Sequence, residues 1–366
     1  MASSIKINKN PQSQIHLCDF ENIEFGKIFS DHMFRVDYKD GKWQTPSIEP
    51  YGNISIAPSL SALHYGQSIF EGMKAFKNPD GKPQLFRPKD NFNRFNRSAQ
   101  RMGMPAITEE LFIEGLKQLV ILDQDWIPTK EGSALYLRPF MFATDDFVGV
   151  RASNNYTFII FCCPVNSYYP KPIKVKVEQK YVRAANGMAG NAKAAGNYGI
   201  SMLPSMEAKK EGYDQIIWTD SITHENVEES GTTNLFFVLE DKIILTPKLD
   251  GNILPGITRD SCIQLLKGKG YEVQERDISI TEMIEAAKQN KLTDAFGTGT
   301  AAIIAKIAAI GYKGTDYVLP DPEKRIVSNW LFKTIYGIQT GKEPDTHHWI
   351  MKLEQSATEA AVVENV

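Results

Sequence analysis

The chain has 366 residues, of which 42% are hydrophobic and 23% charged, with a net charge of -3 at neutral pH. That composition is the ordinary one for a soluble globular protein with room for two cores, and it gives no electrostatic reason to expect nucleic acid or an anionic membrane as partner. No apolar run reaches the roughly 20 residues that cross a bilayer, and the N-terminus has no apolar core of the secretory kind, so a cytoplasmic protein is expected.

In chain order, strand-like PQLFRP is followed by two helical runs, NFNRFNRSAQRMGM and ITEELFIEGLKQLVILDQ. The aromatic and β-branched segments SALYLRPFMFAT and NYTFIIFCC come next and predict an antiparallel pair. Pro164 to Pro172, PVNSYYPKP, breaks all periodicity and reads as a linker or lid. Strand periodicity resumes in KVKVEQKYVRA, then a helix is expected over NYGISMLPSMEAKKEG. Strands DQIIWTD, NLFFVLE and DKIILTP, helix GITRDSCIQLLKGKG, strand YEVQERDI, helix ITEMIEAAKQN and strand-like DAFGTGTAAIIAKIAAI follow. A helix from about Glu323 to Gly337 comes before a tail whose last dozen residues are expected to be disordered. Strands and helices mix without strict alternation, which predicts an α+β protein. The expected division is a smaller domain over 1–165, a linker over 166–178 and a larger domain over 179–366.

Cys18, Cys162, Cys163 and Cys262 lack ligand-pair spacing and read as reduced structural thiols. The six histidines are scattered and no HExxH pattern occurs, so no metal site is expected.

One lysine stands apart. Lys193 lies in GMAGNAKAAGNYG, among residues with almost no side chains. A solvated turn is the ordinary reading of such a segment. The alternative is that small neighbours clear space for a bulky group against a partly desolvated amine, one able to attack a carbonyl.

Four other pieces bear on that choice. Pro255 and Gly256 lead into a helix whose first N–H groups, at Ile257 and Thr258, suit a phosphate. Gly297, Gly299 and Ala302 satisfy a relaxed G-x-G-x-x-A pattern, but the following segment is strand-like, so a nicotinamide-dinucleotide reading fails on context. What survives is a glycine-rich strand end offering Thr300 and backbone N–H groups to an anion. Glu229 precedes a small-residue turn, where a carboxylate can be held against a buried cation; Glu228 and Glu225 read as surface residues. Arg87, between Phe86 and Pro88, is an arginine on an apolar strand and calls for an anion. Arg94 and Arg97 read as solvated helix positions. Amine, phosphate-holding N–H groups, arginine and buried carboxylate are together the parts of a pyridoxal 5'-phosphate site.

The run ESGTTNLF from Glu229, then Thr246, then LPGITR is similar to the signature of class IV pyridoxal-phosphate aminotransferases. Within that class HYGQSIFEGMKAF, LFRP, LYLRP, GNAKAAGNYG and FGTGTA resemble the branched-chain amino-acid aminotransferases, over about residues 25 to 350. The resemblance implies the two-domain fold of that class and a homodimer. It makes Lys193 the lysine that bonds covalently to the cofactor, with Tyr198 on its O3' oxygen and Glu229 on its pyridine nitrogen. Arg87, Ile257, Thr258 and Thr300 hold the phosphate. The substrate α-carboxylate falls to Thr232 and Ala301 with help from Tyr65, the aliphatic chain to Phe70 and Tyr136, and the distal carboxylate of glutamate to Arg138. Tyr65 and the turn DDFVGV, with Val148 and Val150, reach across to a second copy. The implied reaction is transamination of leucine, isoleucine and valine with 2-oxoglutarate. A D-amino-acid transaminase or an aminodeoxychorismate lyase uses the same lysine and glutamate; the motifs around Tyr65 and Arg138 favour the branched-chain enzyme.

Overall fold

The computed structural model describes residues 5–169, 171–240 and 242–354, so the tail expected to be disordered lies outside the described residues. The chain divides into two compact units, Met1–Ser167 with Gly337–Val366, and Tyr168–Tyr336. Among the described residues no helix is long and apolar enough to cross a membrane.

In the first unit the described residues form a ten-stranded sheet whose main path runs Lys6–Ile7, Ser47–Pro50, His32–Lys39, Tyr156–Val165, Ala134–Ala143, Met73–Lys77, Pro83–Phe86, Ile350–Lys352. The two aromatic segments pair antiparallel over their whole length, from Ala134 opposite Val165 to Ala143 opposite Tyr156. Helices Pro88–Arg101 and Glu109–Leu122 supply Phe95 and Phe112 to a core around Phe158, with ring centroids 5.3 to 5.8 Å apart. Thr108 caps the second helix, its side-chain oxygen accepting from the Leu111 N–H at 3.2 Å.

Arg94 departs from its sequence reading. It is buried, and its guanidinium grips Glu71 with contacts of 2.7 and 2.8 Å. The reason is helical spacing: Arg94 shares its face with Asn91, Phe95 and Ser98, all buried.

The second unit carries a nine-stranded sheet among the described residues, ordered Val227–Ser230, Gln215–Thr219, Ile173–Val177, Ile303–Tyr312, Leu292–Gly299, Thr233–Leu239, Ile243–Pro247, Glu272–Arg276. An additional pairing joins Val227–Ser230 to Thr233–Leu239, so six of these strands close into a ring. Val175, Ile217, Leu235, Phe237, Ala295 and Ile307 belong to one buried core there.

The linker expected over 166–178 ends in a strand, Ile173–Val177. Ile173, Val175 and Val177 are buried in alternation with Lys174 and Lys176, and the strand pairs in parallel with neighbours on both sides. Pro172 stands just before it, while Pro164 lies within the strand Tyr156–Val165. Residues from Gly337 onward group with the first unit, where Ile350–Lys352 pairs with Pro83–Phe86. The single helix expected over 197–212 is two, Ala195–Gly199 and Met202–Lys210. Pro204 has no N–H to continue the first, and sits in the opening turn of the second. DAFGTGTAAIIAKIAAI folds as a hairpin that reverses between Gly299 and Ile303, with no helix after the glycines.

Candidate active site

The hairpin that closes the ring puts Glu229 opposite Asn234. All four residues of Val227–Ser230 are buried, so Glu229 is a carboxylate carried by an interior strand. Its Oε1 accepts from the Leu254 N–H at 2.5 Å and from the Asn234 amide at 3.4 Å, and its Oε2 lies 3.5 Å from Arg183 Nε. Hydrogen bonds and a cation of this kind compensate the cost of burying a charge.

Lys193 is half-buried, and its Nζ lies 3.0 Å from the Tyr198 hydroxyl. Asn197, from the same short helix, donates to the carbonyls of Ala189 and Ala192 at 2.7 and 3.0 Å and so fixes the loop that carries the lysine. Tyr198, Glu229, Thr232 and Leu254 line one cavity with Arg183 and Ser201.

Helix Ile257–Gly268 begins directly after Gly256, with no side-chain cap on its first turn. A Cβ at Gly256 would lie 1.9 Å from Asn234 Oδ1, so only glycine fits there without displacing that side chain. Thr300 and Ala301 occupy the hairpin turn ending at Ile303, whose φ of 60° is unusual for a β-branched residue.

The remaining predicted residues lie in the first unit. Arg138 Nη2 donates to the Tyr136 hydroxyl at 3.1 Å, and its guanidinium lies 4.6 Å from the Phe70 ring centroid, so three predicted substrate residues form one cluster. Gly72 makes room for it, because a Cβ there would meet the Tyr136 hydroxyl at 2.1 Å. Arg87 bonds Asp90 at 2.7 Å and lies over Trp349, its centroid distance 5.2 Å. Tyr65, Val148 and Val150 are exposed.

Four participants were not singled out by sequence reasoning: Arg183, Asn234, Asn252 and Leu254. Asn234 was signalled, being a polar residue at the head of an apolar strand. Glu228 is a correction, since it is buried where a surface glutamate was expected; it belongs to a strand with no solvent-facing position. Its Oε1 accepts from Asn252 Nδ2 at 3.2 Å.

The model of the class IV amino-transferase family matches residues 68–310. Branched-chain-amino-acid transaminase 1 of Bacillus subtilis is 44% identical over 340 residues, 92% of this chain and 95% of that one. The chain belongs to the branched-chain group of class IV aminotransferases.

Its fold agrees with that membership. The branched-chain aminotransferase of Thermoproteus uzoniensis, solved with norvaline, has a TM-score of 0.72 at 26% identity, covering 88% of this aminotransferase and all of that chain. The T.th. branched-chain amino acid aminotransferase, complexed with N-(5'-phosphopyridoxyl)-L-glutamate, has a TM-score of 0.68 at 28% identity, covering 87% of this chain and 98% of that one.

Proposed function

We propose that this aminotransferase carries out pyridoxal-phosphate-dependent transamination of L-leucine, L-isoleucine and L-valine with 2-oxoglutarate. The products are the branched 2-oxo acids and L-glutamate, formed in a ping-pong cycle by a cytoplasmic homodimer. The observation that carries the reading is one cavity lined by Tyr198, Glu229 and Thr232, with the Lys193 amine 3.0 Å from the Tyr198 hydroxyl.

The residues fit the cofactor. A buried carboxylate, an amine on a small-residue loop and a helix start without a side-chain cap answer its pyridine nitrogen, its aldehyde and its phosphate. When bound, pyridoxal phosphate supplies a sink for negative charge at the substrate Cα.

Lys193 takes the proton from Cα and returns it as general base and acid, and Tyr198 orients the amine and meets the cofactor's O3' oxygen. Glu229 holds a proton at the pyridine nitrogen. Ile257, Thr258, Thr300 and, by the family resemblance, Arg87 hold the phosphate. Thr232 and Ala301 take the α-carboxylate with Tyr65, and Phe70 and Tyr136 take the hydrocarbon chain. Arg138, tied to Tyr136, meets the second carboxylate of glutamate without pressing a charge on leucine. Tyr65, Val148 and Val150 serve the second copy.

The test is the absorbance spectrum of the protein with pyridoxal phosphate. L-leucine should abolish the near-visible band and 2-oxoglutarate should restore it. A band that ignores leucine but responds to D-alanine rejects the substrate, and no band at all rejects the cofactor.

A further inference from the structure

Glu228 and Glu229 are consecutive on one buried strand, and alternation along a strand sends their side chains to opposite faces. They are 3% and 4% exposed, and Arg183, at 8%, is the cation that serves both. It lies 3.5 Å from Glu229, an ion pair without a hydrogen bond. Towards Glu228 it acts through Asn252. Arg183 Nη2 donates to the Asn252 carbonyl, and the Asn252 amide donates to Glu228 Oε1 at 3.2 Å. Glu228 Oε2 is buried with no hydrogen-bond partner among the described residues, and Glu228 lines a cavity of about 190 Å³ together with Asp220, Lys248, Asp250 and Asp277.

Two buried carboxylates that share one guanidinium favour a proton on the one with fewer hydrogen bonds. Glu229 holds the better position: a backbone N–H at 2.5 Å, an amide and the ion pair all favour its charge. Glu228 has one amide and an unmatched oxygen. Burial pushes its carboxyl up to about 7, against the opposing pull of Arg183 and Asn252 and with the help of Asp250 and Glu229.

We infer that Arg183 is the positioning residue that keeps Glu229 charged and aimed, and that Glu228 is its protonated counterpart, whose neutrality leaves Arg183 to Glu229. Ionisation of Glu228 divides the guanidinium between two carboxylates. The inference rests on the proposed role of Glu229 at the pyridine nitrogen.

Single variants of the holoenzyme test it. Arg183→Met leaves Glu229 without its cation, and should lower the rate of the leucine half-reaction about a hundredfold with a much smaller change in KM and move the absorbance band of bound pyridoxal phosphate, read without turnover. Glu228→Gln keeps the neutral form at every pH, so it should match wild type at about pH 6 and be the faster of the two, by about threefold or more, above about pH 7, where Glu228 ionises in the wild type and divides the guanidinium. Arg183→Met with the wild-type rate and an unmoved band overturns the role of Arg183, and a rate ratio of Glu228→Gln to wild type that stays constant from about pH 6 to about pH 8 overturns that of Glu228. If Arg183→Met does not fold, Arg183→Lys, which keeps the charge and loses the fork, is read in the same way. Glu229→Gln separates the two readings: a slow Glu229→Gln beside an Arg183→Met as fast as wild type removes only the role of Arg183, whereas a Glu229→Gln variant as fast as wild type removes the role of Glu229 on which it rests.

Discussion

Asn234 is bound at once to Glu229 and to the backbone of Leu254. Its amide reaches Glu229 Oε1 at 3.4 Å and the Leu254 carbonyl at 2.9 Å, while the Leu254 N–H bonds the same Glu229 oxygen at 2.5 Å. Two residues after Leu254 stands Gly256, just before the helix start proposed for the phosphate. The carboxylate on the strand and the start of the helix are therefore one mechanical unit.

Gly256→Ala should damage both ends of that unit. The new Cβ would lie 1.9 Å from Asn234 Oδ1 and 3.3 Å from Arg259 Cβ, so Asn234 must leave its place. Overpacking of this kind costs about 1–3 kcal/mol. Pyridoxal phosphate affinity, followed by spectral titration, should fall about tenfold to a hundredfold. Unchanged affinity and unchanged Tm would show that Asn234 can move freely.

Glu229→Gln keeps the shape of the side chain and removes its charge. Both half-reactions, measured in single turnovers, should slow about a hundredfold or more, while cofactor affinity changes far less. Equal rates in variant and wild type would reject a proton held at the pyridine nitrogen by Glu229.

Arg138 offers a test of dual specificity. Its guanidinium is held by the Tyr136 hydroxyl at 3.1 Å and by the Phe70 face at 4.6 Å. Arg138→Met should raise KM for 2-oxoglutarate about tenfold or more, the scale of a charged hydrogen bond, and raise KM for leucine much less. Equal increases would make Arg138 a support for Tyr136 and nothing else.

The residues of the site that were legible in the sequence are those whose chemistry acts within a short stretch. Lys193 and Tyr198 are five positions apart, and Ile257 and Thr258 follow a Pro-Gly pair that opens a helix. Arg183 was not legible, because its acceptors, Gly190 and Asn252, lie 7 and 69 positions away and are backbone carbonyls, which no residue type advertises. Glu228 was misread for a related reason. Two adjacent glutamates look like a solvated pair until the strand beneath them is known to be interior on both faces. The strand Ile173–Val177 was legible in its alternation, but its two lysines gave no sign that it pairs in parallel with neighbours on both sides.

The proton on Glu228 should be visible as a pH dependence of stability. Its carboxyl is raised from 4.5 to about 7, chiefly by burial. Below the lower value both folded and unfolded chains hold the proton, and Glu228 adds no pH dependence. As pH rises between the two values the unfolded chain releases the proton while the folded chain keeps it, so stability falls with pH and levels off once the folded chain has also ionised. Glutamine has no proton to lose. Thermal unfolding of wild type and Glu228→Gln, at one fixed pyridoxal phosphate concentration, should therefore show Tm values that move in favour of the variant from about pH 5 to about pH 8. A Tm difference that stays constant across that interval would mean that Glu228 is ionised in the folded protein throughout, and that Arg183 is shared between two charges after all.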